Sequence, residues 1–305
     1  MMPASESASR RSKPLQQPVL FVVGSGRSGT TMIFEILCSD PGAAWVSNYS
    51  QRFPALGRVH PPVPGAFKGS ASRLSVRPVE GYRVFNRVRA RAGDGSDGGV
   101  LTSEDLSDEE RTALVRVVRH HLARPGARFF INKNTRNTRR VEYLSAAFPD
   151  CRVVHVVRHP IAAVGSMLAV PFFDDVRVWW LGGERVADLV LSGHDPTLLA
   201  AEIWVREVAA CDQALSGIPE SRWMTVYYED FVDDPHPGLE AMLRLVDVPL
   251  SSEVMTQASL RAPANRNAAT MRHLTAAQQE TIWDVVSERA NRHGYALGSP
   301  DRSWE

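Results

Sequence analysis

The chain has 305 residues, 44% of them hydrophobic, and its 35 Lys and Arg residues nearly balance 34 Asp and Glu residues. This length accommodates one large α/β domain or two small ones, and the near-neutral charge argues against a general nucleic-acid binder. Three widely spaced cysteines without a CxxC pair are typical of buried thiols in a reducing compartment. No apolar run reaches the roughly 18 residues of a membrane span, so we expect a cytoplasmic protein.

The amino-terminal residues 1–18 are rich in Ser, Pro and Arg and contain no apolar core. They are predicted to form a disordered tail rather than a signal peptide. Residues 19–305 show no repeat and no linker, which predicts a single domain. Two irregular stretches, near residues 48–100 and 170–196, are predicted to form walls of a substrate pocket, since long irregular segments of compact domains often have that role.

The first apolar run, residues 19–23, is followed by Gly24, Gly26 and Gly29 and then by apolar residues at helical spacing. This pattern predicts a strand, a glycine-rich turn and the start of a helix. Such a turn directs unpaired N–H groups and the positive end of the helix dipole at one point, which suits an anion. Polar side chains that also bind anions stand among the glycines and directly after them: Arg27, Ser28, Thr30 and Thr31.

The rest of the chain repeats the order strand, turn, helix. Strands are predicted over residues 43–47, 128–133, 151–157 and 223–228, and helices over 114–122, 140–148, 161–168, 196–216, 239–246 and 276–293. Residues 229–230 are predicted to begin a turn, and the polar residues 259–272 to form a loop. This order predicts an α/β, P-loop-like three-layer fold with a central parallel sheet flanked by helices. Ligands of such sheets bind at the carboxyl ends of the strands, where Arg27, Lys133 and Arg158 fall.

Three families of anion-binding loop share the glycine pattern. The dinucleotide fingerprint also requires an acidic residue about 20 positions further on, and residues 45–49 contain none. The P-loop of nucleoside triphosphatases requires Lys directly after the last glycine, where this chain has Thr30. What remains is a loop whose cation, Arg27, precedes the Ser-Gly-Thr-Thr sequence.

The order Arg27-Ser28-Gly29-Thr30-Thr31 after a strand resembles the 5′-phosphosulfate loop of the PAPS-dependent sulfotransferases, in the Arg form of the Golgi and bacterial branches. In residues 153–168, Arg158 and Ser166 are similar to the family's 3′-phosphate residues. Tyr228 matches the residue that lies against the adenine, and Arg266 falls in the family's basic loop over the cofactor. The resemblance implies PAPS (3′-phosphoadenylyl sulfate) as sulfuryl donor, PAP as product, and these cofactor-binding residues: Gly26, Arg27, Ser28, Gly29, Thr30, Thr31, Arg158, Ser166, Tyr228 and Arg266.

The resemblance also implies a reaction, the in-line transfer of a sulfuryl group to a hydroxyl group. Arg27 and the loop amides would neutralise the leaving 5′-phosphate, and Lys133 matches the family Lys that would stabilise the bridging oxygen. A phosphate leaving group needs no metal, and no Asp/His ligand cluster is visible, so no metal is predicted.

The general base is not assigned by the resemblance. The positions at which members of the family have His or Glu contain Thr135 and Asn48 here, which are not comparable proton acceptors. Acidic residues and one His in the irregular segments are the candidates: His60, Glu80, Asp174 and Asp175. We prefer Glu80, because a carboxylate that interrupts a basic, proline-rich stretch would be held by its neighbours.

The aromatic residues of the two irregular segments predict a partly apolar pocket, and hence a small hydroxylated acceptor rather than a polyanionic polysaccharide. Two other functions stay open. One is a P-loop-type nucleotide kinase or NTPase. Such a protein needs an acidic residue at the end of the strand over residues 151–157, and the presence of Arg158 there disfavours it. The other is a non-catalytic protein that binds PAP or another nucleotide. The sequence does not specify the acceptor or the oligomeric state.

Overall fold

A computed structural model describes residues 15–53, 76–85, 99–261 and 264–300 of the chain. Seven strands are present in these ranges: β1 (Val19–Val23), β2 (Ala43–Ala44), β3 (Phe129–Lys133), β4 (Arg152–Val157), β5 (Arg177–Val178), β6 (Glu184–Arg185) and β7 (Trp223–Tyr227). Five of them form a sheet in the order β2-β3-β1-β4-β7, and every neighbouring pair in it is parallel. The strands β5 and β6 pair separately as an antiparallel ribbon.

Helices cover both faces of the sheet, which confirms the predicted α/β fold. In chain order they are α1 (Thr30–Leu37), α2 (Asn48–Arg52), α3 (Asp108–Leu122), α4 (Val141–Ala147), α5 (Pro160–Leu168), α6 (Val186–Leu191), α7 (Pro196–Leu215), α8 (Tyr228–Asp233), α9 (Pro235–Arg244), α10 (Ser252–Arg261), α11 (Asn267–Met271) and α12 (Ala276–Arg292). In the described part of the chain, no helix combines the length and the apolar character needed to cross a bilayer.

The alternation of side chains along β1 shows why the sheet has a helical layer on each side. Phe21 and Val23 point into a core shared with α3 and α4, whereas Leu20 and Val22 point into a core shared with α1. A continuous apolar run is the pattern expected of a strand buried on both faces. A third core cluster joins α5, α7 and α12 beside the end of β4.

Several local predictions were wrong. The expected loop over residues 259–272 contains the end of α10 and the whole of α11, because Val254 and Ala258 give α10 a buried face that its polar composition hides. The strand expected over residues 43–47 is only two residues long, since Ser47 already caps α2. The expected turn at residues 229–230 lies inside α8.

Parts of the predicted tail and pocket walls lie outside the described residues, including His60 and residues 1–14, 54–75 and 86–98. Leu15, within the predicted tail, packs against the core. The stretch 170–196 contains a 3-10 turn at Pro171–Asp175, the β5–β6 ribbon and α6.

One titratable side chain of β4, His155, is fully buried. Its Nδ1 lies 3.6 Å from Asp212 Oδ1 on α7, and Asp212 Oδ2 lies 3.1 Å from His293 Nε2 and 3.0 Å from Arg289 Nη1 on or next to α12. Burial lowers the pKa of His155 from about 6.5 to about 4, although the negative charge of Asp212 opposes this shift. The folded protein therefore holds His155 neutral at neutral pH.

This pKa shift predicts a loss of stability in mild acid. Unfolding restores a His pKa near 6.5, so the unfolded state binds the proton first as the pH falls from 6.5 towards 4. We expect the free energy of unfolding in urea to fall by about 2 kcal/mol between neutral pH and about pH 5 through this group. His155→Gln should lose much less over that interval, whereas the exposed control His194→Gln should behave as wild type. An equal loss in the His155 variant would contradict the assignment.

Candidate active site

The glycine-rich loop joins β1 to α1 at the carboxyl edge of the sheet. Its first residue, Gly24, donates its N–H to Thr138 Oγ1 at 2.9 Å, and its carbonyl oxygen accepts from the same hydroxyl at 2.8 Å. A Cβ atom at Gly24 would lie 2.3 Å from the carbonyl oxygen of Val156 on β4. The loop therefore leaves the sheet with its backbone directly against the neighbouring strand, and this approach requires glycine.

The end of the loop is equally constrained. Gly29 has a φ of 91° and caps α1, and a Cβ atom there would lie 2.8 Å from Tyr228 Cδ2. Arg27 adopts a φ of 66°, a left-handed conformation that is uncommon for a residue with a side chain. The hydroxyls of Ser25 and Ser28 are buried and lie 2.8 Å apart. These constraints aim the loop and the N-terminus of α1 at one cavity.

Arg158 extends from the end of β4 to this loop. Its Nη1 donates to the carbonyl oxygen of Arg27 at 3.0 Å, and its guanidinium carbon lies 4.4 Å from the ring centroid of Tyr228. Arg27 in turn donates from Nε to Ser166 Oγ on α5 at 3.0 Å. Four residues that the sequence assigned to cofactor binding therefore form one connected group: Arg27, Arg158, Ser166 and Tyr228.

Asn267, which the sequence analysis missed, hydrogen-bonds to the guanidinium group of Arg158. It is fully buried at the start of α11, and its Oδ1 accepts from Arg158 Nε at 2.9 Å. Its Nδ2 donates to Glu229 Oε1 at 2.6 Å, and Glu229 also accepts from Tyr295 Oη at 2.8 Å and from the backbone N–H of His159 at 3.0 Å. The adjacent candidate, Arg266, lines the cavity instead. The polar run 265–267 was the signal in the sequence that could have indicated Asn267. The formation of α11 decides which residue of this run points inward.

Lys133 occupies the end of β3 and is almost fully buried. Its Nζ donates to Thr31 Oγ1 at 3.0 Å and lies 2.5 Å from Glu80 Oε1. Nearby, Tyr82 Oη and Thr135 Oγ1 are 2.6 Å apart, and burial together with the charge of Glu80 raises the pKa of Tyr82 well above its usual value. The structure therefore places the preferred base candidate beside the predicted catalytic Lys.

These groups share one cavity of about 850 Å³. Its polar lining includes Gly26, Arg27, Gly29, Thr30, Thr31, Glu80, Lys133, Arg158, Ser166, Tyr228 and Arg266, whereas Ser28 is buried in the loop below. Its apolar lining consists of Met167, Val170, Phe172, Phe173, Val176 and Ile203, together with Met32.

Neither Asp174 nor Asp175 is among the described lining residues, and Asp175 lies 3.6 Å from Arg185. A second missed residue, Glu207 of α7, also faces this cavity.

The aromatic residues of the second irregular segment, residues 170–196, divide into two groups. Phe172 and Phe173 line the cavity, whereas Trp179 and Trp180 pack against the guanidinium groups of Arg139 and Arg206. Among the described residues, no group of three or more His, Cys, Asp or Glu side chains is arranged to hold a metal ion.

The sequence resemblance assigns Arg158 to nucleotide binding, and the hydrogen bond between Asn267 and Arg158 therefore predicts that Asn267 supports this binding through Arg158. Loss of a hydrogen bond to a charged group costs about 1.5–3 kcal/mol, so Asn267→Ala should weaken the binding of PAP about 10- to 100-fold in calorimetry. The control Asn291→Ala, an exposed position on α12, should bind PAP as wild type does. Unchanged affinity in the Asn267 variant would show that Arg158 does not depend on this contact.

Comparison with known proteins identifies the same family as the resemblance in the sequence. Residues 18–252 match the model of the Sulfotransferase family. The structure is similar to the sulfotransferase STF9 from Mycobacterium avium, with a TM-score of 0.60, 20% sequence identity, and coverage of 93% of this chain and 79% of that chain. No curated protein sequence matches the chain.

Two further solved structures share the fold. STF1 from Mycobacterium tuberculosis H37Rv has a TM-score of 0.55 at 17% identity, covering 89% of this chain and 77% of that chain. A sulfotransferase domain from the curacin biosynthetic pathway has a TM-score of 0.53 at 16% identity, covering 93% of this chain and all 100% of that domain. The family match spans most of the chain, and the chain therefore belongs to the sulfotransferase family.

Proposed function

We propose that this sulfotransferase moves the sulfuryl group of PAPS to a hydroxyl group of a small, partly apolar acceptor. The observation that supports this most directly is that one cavity contains two neighbouring sets of groups suited to binding anions, with Lys133 beside them. The first is the loop at the N-terminus of α1, and the second is Arg158 with Ser166. A nucleotide phosphorylated at both the 5′ and the 3′ position is the ligand that such a pair fits.

In this proposal the 5′-phosphate is bound by the amides of residues 26–31 and by Arg27, at the positive end of α1. Arg158 and Ser166 bind the 3′-phosphate, and Tyr228 lies against the adenine. Arg266, at the rim, closes over the nucleotide. Burial lowers the pKa of Arg158 from its usual value, so this guanidinium has given up much of its hydration and gains from binding an anion.

The protein groups around the loop suit a sulfuryl transfer. Its transition state is loose and spreads negative charge over the transferred group and the leaving oxygen, so fixed positive charges lower the barrier. Lys133 is 3% exposed and is held by Thr31 and Glu80, which means that it is positioned before any ligand arrives. It stabilises the bridging oxygen, and Arg27 neutralises the leaving phosphate.

The acceptor occupies the apolar part of the cavity. Phe172 and Phe173 belong to the 3-10 turn after α5, and Ile203 faces them from α7. A mainly apolar wall with a few placed polar groups binds a small hydroxylated molecule better than a polyanion. The three cysteines are free and buried, as expected of a protein that functions in the reducing cytoplasm.

Glu80 is the proposed general base. Its carboxylate is about one-quarter exposed, lines the cavity and lies 2.5 Å from Lys133 Nζ, so it can accept the acceptor's proton close to the charge that the Lys stabilises. Glu80→Gln should lower kcat about 10²–10⁴-fold, while the affinity for PAP stays near the wild-type value. Glu104→Gln, at an exposed position, is the matched control. Full turnover by the Glu80 variant would exclude this base.

The function itself is tested by measuring PAP formation from PAPS with a broad panel of phenols, aliphatic alcohols and glycosides. We expect PAP to accumulate only when an acceptor is present. Lys133→Ala should reduce this rate at least about 100-fold, because the fixed charge at the leaving oxygen is lost. Binding of PAP without turnover of any panel member would favour a binding protein, and preferential binding of ATP with Mg²⁺ would favour a nucleotide kinase or NTPase.

A further inference from the structure

Two hydroxyl groups lie in the cavity wall beside the ion pair of Lys133 and Glu80. The hydroxyls of Tyr82 and Thr135 are 2.6 Å apart, and both residues are half-buried and line the cavity. Tyr82 comes two residues after Glu80, and Thr135 comes two residues after Lys133. The two short segments are therefore joined at both ends, by the ion pair at one end and by the hydroxyl contact at the other.

Neighbouring side chains hold this arrangement in place. Asn132 and Asn134, which are both fully buried, donate from Nδ2 to the carbonyl oxygen of Glu80, at 3.2 and 3.5 Å. The guanidinium carbon of Arg136 lies 5.4 Å from the ring centroid of Tyr82. Contacts to the backbone of residue 80 and to the ring of Tyr82 therefore position the Tyr82 hydroxyl before any ligand binds.

The hydroxyl pair, Tyr82 with Thr135, keeps hydrogen-bonding capacity for a ligand. Each hydroxyl has one hydrogen and two lone pairs, and their mutual contact uses only one of the two hydrogens, whichever group donates. Burial and the negative charge of Glu80 raise the pKa of Tyr82 well above its usual value, so this hydroxyl keeps its proton at physiological pH. Tyr82 is therefore suited to donating a hydrogen bond and unsuited to removing a proton.

We propose that Tyr82 and Thr135 bind the hydroxyl group of the acceptor and orient its oxygen towards the sulfuryl group. The inference rests on the proposed function, in which the sulfuryl group lies at Lys133 and Glu80 takes the acceptor's proton. The attacking oxygen must then reach both groups, and the hydroxyl pair lies beside them on the same wall. A hydrogen bond donated to this oxygen fixes its direction. As the new O–S bond forms, the proton passes to Glu80, and the 5′-phosphate oxygen leaves with the electron pair of the broken O–S bond.

A purely structural role for the hydroxyl pair predicts a different pattern of effects. If the contact only tied the segment of Glu80 to the end of β3, its loss would disturb the whole wall and weaken every ligand that touches it. The proposal predicts that only ligands with a hydroxyl group are affected. The same molecule with hydrogen in place of that hydroxyl should bind to the variants as it does to wild type, and so should PAP.

The test uses the full chain at saturating PAPS, with 2-naphthol as acceptor, or 1-hexanol if wild type prefers an aliphatic alcohol. The matching hydrocarbons, naphthalene and hexane, serve as competing inhibitors without a hydroxyl group. Tyr82→Phe and Thr135→Val should each lower kcat/KM for the acceptor about 3- to 10-fold, as expected for one hydrogen bond between neutral groups. The double variant should lose about as much as the weaker single variant, because the two hydroxyls act together.

Thr135→Ser, which keeps the hydroxyl, should retain the wild-type kcat/KM, and so should Thr256→Val at an exposed position on α10. Unchanged kcat/KM in both hydroxyl variants overturns the proposal, and so does an equal loss of affinity for the hydrocarbon or for PAP. The proposed function is judged separately. A wild-type chain that forms no PAP with any acceptor refutes both, whereas turnover that is indifferent to Tyr82 and Thr135 refutes only the role of the hydroxyl pair.

Discussion

The candidate active site depends on the contact between Arg158 and the backbone of the glycine-rich loop. The Arg158 guanidinium donates to the carbonyl oxygen of Arg27 and to Asn267, and it stacks on Tyr228. A buried cation is costly unless its donors are satisfied and a negative charge is near. Glu229 supplies that charge through Asn267, so one network fixes the loop, the strand end and α11 relative to one another.

The parallel sheet explains why these groups meet. Parallel strands end at the same edge, so the loop after β1, Lys133 at the end of β3, Arg158 after β4 and Tyr228 after β7 all face one cavity. The central position of β1, between β3 and β4, places the loop between Lys133 on one side and Arg158 on the other. The close approach of Gly24 to Val156 then sets the depth of the loop in the sheet. In the proposed function, this arrangement places the 3′-phosphate group on one side of the loop and the sulfuryl group on the other.

The parts of the site that could be predicted are those that local sequence encodes. Arg158 directly follows the apolar run of β4, and Arg27 lies in the glycine-rich turn after the apolar run of β1, so their positions near strand ends follow from the periodicity and the glycines. Asn267 and Glu207 could not be found in this way, because each lies on a helix whose inward face is decided by distant packing partners. The same reason accounts for the missed helix α10, whose buried face is a minority of its residues. For Glu207 only the orientation of a predicted helix was missing, whereas for Asn267 the helix itself was not predicted.

We propose above all that the loop and Arg158 with Ser166 bind the two phosphates of a single nucleotide. Calorimetric titration of the wild-type chain with PAP, AMP and adenosine 3′-phosphate tests it directly. The two sites should act together, so PAP should bind at least about 100-fold more tightly than either monophosphate. Equal affinity for PAP and AMP would mean that Arg158 and Ser166 bind no 3′-phosphate, and the claim would be wrong.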